Sequence, residues 1–174
     1  MTPDEVLAAT TALLPAATPA PPELVRGAAV VILPREGITE ALTRLRDDPA
    51  LRFEVLVDVT CVDYRGRTPR FEVVYQLRSL THGHRLRVKV GVPEDDARIP
   101  SAFPVWRSAS WAEREAYDLF GIEFVGHPDL RRLLMYPEFV GHPLRKDYPL
   151  DLRHPLVPER DPIVQPWPSR GGER

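Results

Sequence analysis

The sequence predicts an α+β fold: a two-layer domain with a mixed or antiparallel β-sheet packed against helices, followed by an extended C-terminal arm. Three observations lead there. Consecutive segments between residues 52 and 92 alternate apolar and polar side chains, the signature of a strand meander. Segments of helical period flank that meander on both sides. Beyond residue 127 the prolines recur too closely for a continuous helix or a central strand.

Each element follows from local chemistry. Residues 4–14, DEVLAATTALL, read as a short helix. Thr2 or Asp4 can cap it, and acidic residues suit its first turn. PAATPAPP at 15–22 is a semi-rigid linker. The apolar run Ala28 to Leu33 is a strand, and Pro34 to Gly37 turns the chain. Ile38 to Asp47 is a helix, because Ile38, Leu42 and Leu45 form one apolar stripe and leave Arg44, Arg46 and Asp47 to solvent. The first meander strand spans roughly 52–60, with Phe53, Val55 and Val57 alternating against Glu54, Leu56 and Asp58. The second spans 70–78. The third, 84–92, sets Leu86, Val88 and Val90 against Arg85, Arg87 and Lys89, which gives it one basic, wet face. YRGRTP at 64–69 and THGH at 81–84 are connecting turns, so His82 and His84 are expected in solvent.

Residues 93–100 read as an acidic turn. Residues 110–120, SWAEREAYDLF, form a helix, with Ser110 and Glu113 spaced as a capping box and Gly121 suited to a left-handed C-cap. Asp118 lies four residues after Arg114, the spacing of an intrahelical ion pair. Little regular structure is expected from Ile122 onward. FVGHP occurs at 124–128 and again at 139–143, a recurring turn. The organisation is therefore an N-terminal helix and linker at 1–22, an α+β core at 23–125, and a docking arm and tail at 126–174.

The composition narrows the function. A net charge of −2 offers no bulk attraction to nucleic acid or anionic lipid. No apolar run approaches the length of a membrane span, so membrane contact is expected only through partners. One cysteine, Cys61, just past a strand, reads as an inert buried or half-buried thiol. Phosphate-cradling glycine loops, GxSxG and HExxH are all absent. No cofactor or metal is expected in this chain. Arginines and aromatics crowd the segment 111–148, a composition enriched at the centres of protein interfaces.

One segment is specific. EREAYDLFGIEFVGHPDLRRLLMYPEFVGHPLRKDYPL, residues 113–150, resembles the 30-kDa subunit family of respiratory complex I, the C subunit of bacterial NADH–quinone oxidoreductase. Its signature is filled by Glu113, Arg114, Glu115, Asp118, Leu119, Phe120, His127, Arg131, Leu133 and Leu134. The resemblance implies a non-catalytic structural subunit, with the flavin mononucleotide and iron–sulfur clusters carried by partners. It implies placement in the peripheral arm, on the cytoplasmic side of the bacterial plasma membrane. There the protein would brace a 49-kDa-type quinone-site subunit and iron–sulfur subunits. Signature and expected interface residues are Glu113, Arg114, Glu115, Asp118, His127, Arg131, Arg132, Arg145, Lys146 and Asp147. Two alternatives stand beside it: the equivalent subunit of a membrane-bound hydrogenase-type complex, and a free-standing enzyme using Glu113, Glu115 and His127.

Overall fold

Thr2 opens the chain as a helix. Its hydroxyl accepts from the Glu5 amide while the Glu5 carboxylate accepts from the Thr2 amide, and Pro3 occupies the first turn. In this computed structural model residues 1–14, 23–152 and 154 are described. Helix α1 is Pro3–Leu13, and the next elements are β1 (Glu23–Val25), β2 (Ala28–Leu33) and α2 (Ile38–Asp47). The meander strands are β3 (Val55–Asp63), β4 (Phe71–Arg78) and β5 (Arg85–Val92). Then come β6 (Arg98–Pro100), α3 (Ala109–Phe120) and β7 (Glu123–Val125).

The five-stranded sheet has the order β1-β2-β5-β4-β3. Only the β2–β5 pair in it is parallel, so the sheet is mixed. Its inner face carries Val31, Leu33, Tyr75, Leu77, Val88 and Val90, all buried against Ile38, Leu42 and Leu45 of α2 and the apolar side of α3. The outer face carries Glu72, Gln76, Arg85, Arg87 and Lys89. There Lys89 pairs with Glu72 across the ladder at 2.8 Å. This is the predicted two-layer α+β fold.

Four local expectations are corrected. The first meander strand starts later and ends later than 52–60: the Arg52 and Phe53 amides bond back to the carbonyls of Asp48 and Leu45, and, within the strand, an irregularity between Leu56 and Asp58 drops Val57 from the pairing with β4. Val57 is consequently 60% exposed, while Leu56, Val59 and Cys61 point inward. Cys61 therefore lies inside a strand; it is buried, and burial pushes its thiol up to about 12. His84 does not face solvent: it is 6% exposed, and its Nε2 donates to the Leu51 carbonyl at 2.7 Å. Finally, the segments 93–100 and beyond Ile122 are not wholly irregular, since β6 and β7 pair in parallel through Ile99 and Phe124, both buried.

Candidate functional site: the clasp between the signature helix and the arm

The signature segment begins on α3, whose buried side holds Glu113, Arg114 and Asp118 among Ala109, Ala116 and Phe120. Three charged side chains on the core-facing side of a helix are costly unless each is paired. Each has hydrogen-bond partners, and two of the three are held by the arm.

Glu113 is fully buried. Its Oε2 accepts from the Ser101 hydroxyl and its Oε1 from the Ala102 amide, both at 2.6 Å. Burial pushes its carboxyl up to about 7, against the pull of those two donors. The expected capping box is therefore not formed. Ser108, not Ser110, precedes the helix, and it makes no side-chain cap bond. The carboxylate of Glu113 is spent on holding the 101–102 turn, a long-range partner that spacing along the helix does not reveal.

The expected Arg114–Asp118 ion pair is also absent. Arg114 reaches instead to the arm, donating to the carbonyls of Arg131 and Arg132 at 3.1 Å each, and its guanidinium lies 5.0 Å from the Trp111 ring centre. Asp118, fully buried, accepts from the Arg132 guanidinium at 2.7 Å on one oxygen. Its other oxygen accepts from the amides of Leu133, Leu134 and Met135 at 3.0, 2.7 and 2.8 Å. Burial pushes this carboxyl up, but the Met135 amide, Arg132 and the two other amides together hold it below the usual carboxylate range. One carboxylate thus anchors four consecutive arm residues, 132–135.

The C-terminal end of α3 is finished by the arm as well. A helix leaves its last carbonyls without internal partners. Here the Tyr117 carbonyl takes the Gly121 amide, Asp118 takes His142 Nδ1, Leu119 takes the Leu144 amide and Phe120 takes Arg145 Nε. Gly121 has a φ of +75°, and a Cβ there would lie 2.5 Å from both Arg145 and His142, so glycine is required twice over. The repeated FVGHP turns have a common use. His127 of the first donates to the Ser110 carbonyl at 3.1 Å, and His142 of the second donates to the Asp118 carbonyl at 2.9 Å, so the two turns grip α3 near its opposite ends.

A third anchor lies at the edge of the sheet. Buried Arg70 is held by both oxygens of Asp63 at 2.9 and 2.8 Å, by Glu94 at 2.5 Å and by Asp147 of the arm at 2.5 Å. The Lys146 amide donates to the same Asp63 at 2.8 Å. The Arg70 guanidinium holds the carboxyls of Asp63 and Asp147 below their ordinary range.

Of the ten residues singled out in the sequence, the structure gathers Arg114, Asp118, Arg132, Arg145, Lys146 and Asp147 into this clasp. Glu113 sits apart at the 101–102 turn, Glu115 is exposed, and Arg131 pairs locally with Asp129 at 3.0 Å. Glu113, Glu115 and His127 do not converge: one is enclosed, one faces solvent, and His127 uses both ring nitrogens on backbone groups. The free-enzyme alternative therefore has no assembled constellation. Among the described residues no group of three or more His, Cys, Asp or Glu is placed to hold a metal ion. Sequence reasoning missed Asp63, Arg70 and Ser101. The YRGRTP turn beside Asp63 and Arg70 was visible, but their pairing with residue 147 was not.

The arm's backbone is turned inward, but much of its apolar surface is not. Leu134, Val140, Leu144, Leu150 and Leu152 are exposed at 59, 69, 48, 103 and 47%. Tyr136, Phe139, Tyr148 and His154 pack their rings on one another, with Tyr148 bonded to His154 at 2.6 Å, and stiffen the outer part of the arm.

Fold and site together define a clasped α+β domain, a two-layer core whose signature helix is locked by its own C-terminal arm. The chain belongs to the family of the 30-kDa subunit of respiratory-chain NADH dehydrogenase, whose model matches residues 31–154. It is 53% identical over 137 residues to the C subunit of the NADH-quinone oxidoreductase of Citrifermentans bemidjiense, covering 79% of this chain and 81% of that one. The corresponding C subunit of Geobacter sulfurreducens is 48% identical over 138 residues, covering 79% and 81%. Among solved structures, the trypsin-resistant fragment (1-134) of Nqo5 superposes with a TM-score of 0.62 at 40% identity, covering 73% of this chain and 98% of the fragment. A chain of the membrane-bound sulfane sulfur reductase, an archaeal respiratory membrane complex, superposes with a TM-score of 0.71 at 25% identity, covering 84% and 85%.

Proposed function

We propose that this chain is a non-catalytic structural subunit of the peripheral arm of a proton-pumping NADH–quinone oxidoreductase. Its arm is a preformed docking surface. The carrying observation is the division of labour within residues 131–147: main-chain and charged groups bind the chain's own α3 and sheet edge, while Leu134, Val140 and Leu144 face outward. An exposed apolar strip on a braced backbone is ready to be covered by a partner at little ordering cost. The partners in this reading are the 49-kDa-type quinone-site subunit and the iron–sulfur subunits, which carry the flavin and clusters. Among the described residues no helix is long and apolar enough to cross a membrane, so the membrane contact proposed is indirect, on the cytoplasmic face.

The test is Leu134→Asp, Val140→Asp and Leu144→Asp combined. The purified variant should keep the circular dichroism and melting of the wild type, while membranes carrying it lose assembled complex and NADH–quinone activity. Full assembly with the triple variant contradicts the proposal. The likeness to a chain of the sulfane sulfur reductase favours a second reading, a sister membrane complex with another electron donor. Mass spectrometry of the proteins that co-purify separates the two.

A further inference from the structure

The β1–β2 hairpin is closed by Arg26 and Gly27, with φ of +51° and +75°. Two-residue turns with both φ positive favour Asn-Gly, Asp-Gly or Gly-Gly, because other side chains enter left-handed backbone at a cost. Arg26 is held there, exposed, and its guanidinium has no partner among the described residues. Close by, Arg85 opens β5 directly opposite Arg78 of β4. Like charges facing each other across a ladder destabilise it, and neither guanidinium has a partner among the described residues. The hairpin turn, the start of β5 and the start of α1 line an open pocket of about 360 Å³, whose lining includes Arg26, Arg85, His84, Gly83, Ala28 and Val6. His84 is 6% exposed, and its Nδ1 has no hydrogen-bond partner.

We propose that this pocket binds a phosphate group between the guanidiniums of Arg26 and Arg85, with His84 in its lining. The charge pattern selects the ligand class. One guanidinium fork already matches both oxygens of a carboxylate, whereas a phosphate offers more acceptor oxygens and up to two charges, enough for two arginines from separate elements. Arg78 adds to the positive potential at the β5 end of the site. The nearby acid Glu5 is turned back onto the Thr2 amide at 2.8 Å.

Calorimetric titration of the full chain with inorganic phosphate at constant ionic strength tests this. Saturable one-to-one binding is expected, weakened about tenfold or more in Arg85→Gln and in Arg26→Gly, with acetate binding at least about tenfold more weakly than phosphate. Arg26→Gly carries its own control: glycine accepts a positive φ freely, so the ligand-free variant should be no less stable than the wild type while its phosphate binding falls. Phosphatidylglycerol vesicles then locate the source. Displacement of phosphate by the vesicles assigns the site to a lipid headgroup, and failure to displace it assigns a soluble phosphate; each requires the same arginine dependence. Non-saturable binding, binding that both arginine variants leave unchanged, or equal weakening by Arg131→Gln on the arm overturns the proposal.

Discussion

Glu113 shows how one residue's chemistry sets a pH dependence. Its folded carboxyl is raised to about 7 by burial, above its ordinary value of 4.5. A raised carboxyl favours the folded state most when protonated. Its contribution is therefore complete below pH 4.5 and is lost as pH rises through the folded value near 7. Glu113→Gln removes that slope and keeps an oxygen for the Ala102 amide. Urea unfolding across this range should show the wild type losing stability relative to Glu113→Gln as pH rises; parallel curves would contradict the assignment. Glu113→Leu instead strands a buried amide, an expected loss of about 1–3 kcal/mol at low pH, where the wild-type carboxyl is protonated, and a smaller one as pH rises through the folded value. At Arg145, expected from sequence at a partner interface, the structure shows internal service: its Nε donates to the Phe120 carbonyl at 2.6 Å and its guanidinium lies 5.2 Å from the Phe71 ring centre. Arg145→Glu should accordingly destabilise the isolated chain by about 1.5–3 kcal/mol, measured by denaturant melting. An unchanged midpoint would return Arg145 to the partner side.

At the scale of elements, α3 and the arm form one unit. Asp118→Ala removes the acceptor of one guanidinium and three amides at once, all of which meet at one buried carboxylate. Breaking one side of such a pair costs about 3–5 kcal/mol. Limited proteolysis of that variant should cut between residues 131 and 147 well before the sheet; a wild-type digestion pattern would show that Asp118 is not the anchor. The elements themselves were legible where periodicity is strong. The stripe of Ile38, Leu42 and Leu45 and the alternation of Leu86, Val88 and Val90 stand in the structure as read. Legibility failed where a long-range partner outranks a local rule. Glu113 had the spacing of a capping box, yet the 101–102 turn offered it two buried donors. Arg114 and Asp118 had the spacing of an ion pair, yet each found arm groups that complete a larger network. The bulge at Val57 and the three-residue strands β1, β6 and β7 leave too short a pattern to read. Ten sites came from spacing and resemblance; their three-dimensional grouping needed the fold, because Asp63 and Arg70 lie about eighty residues from their partners in the arm.

For the whole molecule, the clasp has the opposite pH sign to Glu113. Asp63 and Asp147 are held below the ordinary value of 3.8 by the Arg70 guanidinium, and Asp118 lies below it through the Met135 amide and Arg132 despite its burial. Depressed carboxyls stabilise the fold above pH 3.8 and lose that contribution as pH falls through their lower folded values. Asp147 is 43% exposed, so solvent screens its share. Acid titration followed by backbone nuclear magnetic resonance should therefore release residues 131–147 before the meander loosens; simultaneous loss would contradict a separately anchored arm. The arm is folded on its own domain before any partner arrives. Amide hydrogen exchange of the free full-length chain tests it most directly. Slow exchange is expected at Leu133, Leu134, Met135, Leu144 and Lys146, whose amides are bonded within the chain. Exchange at those five amides as fast as in an unfolded chain, with protection gained only in the assembled complex, would contradict it.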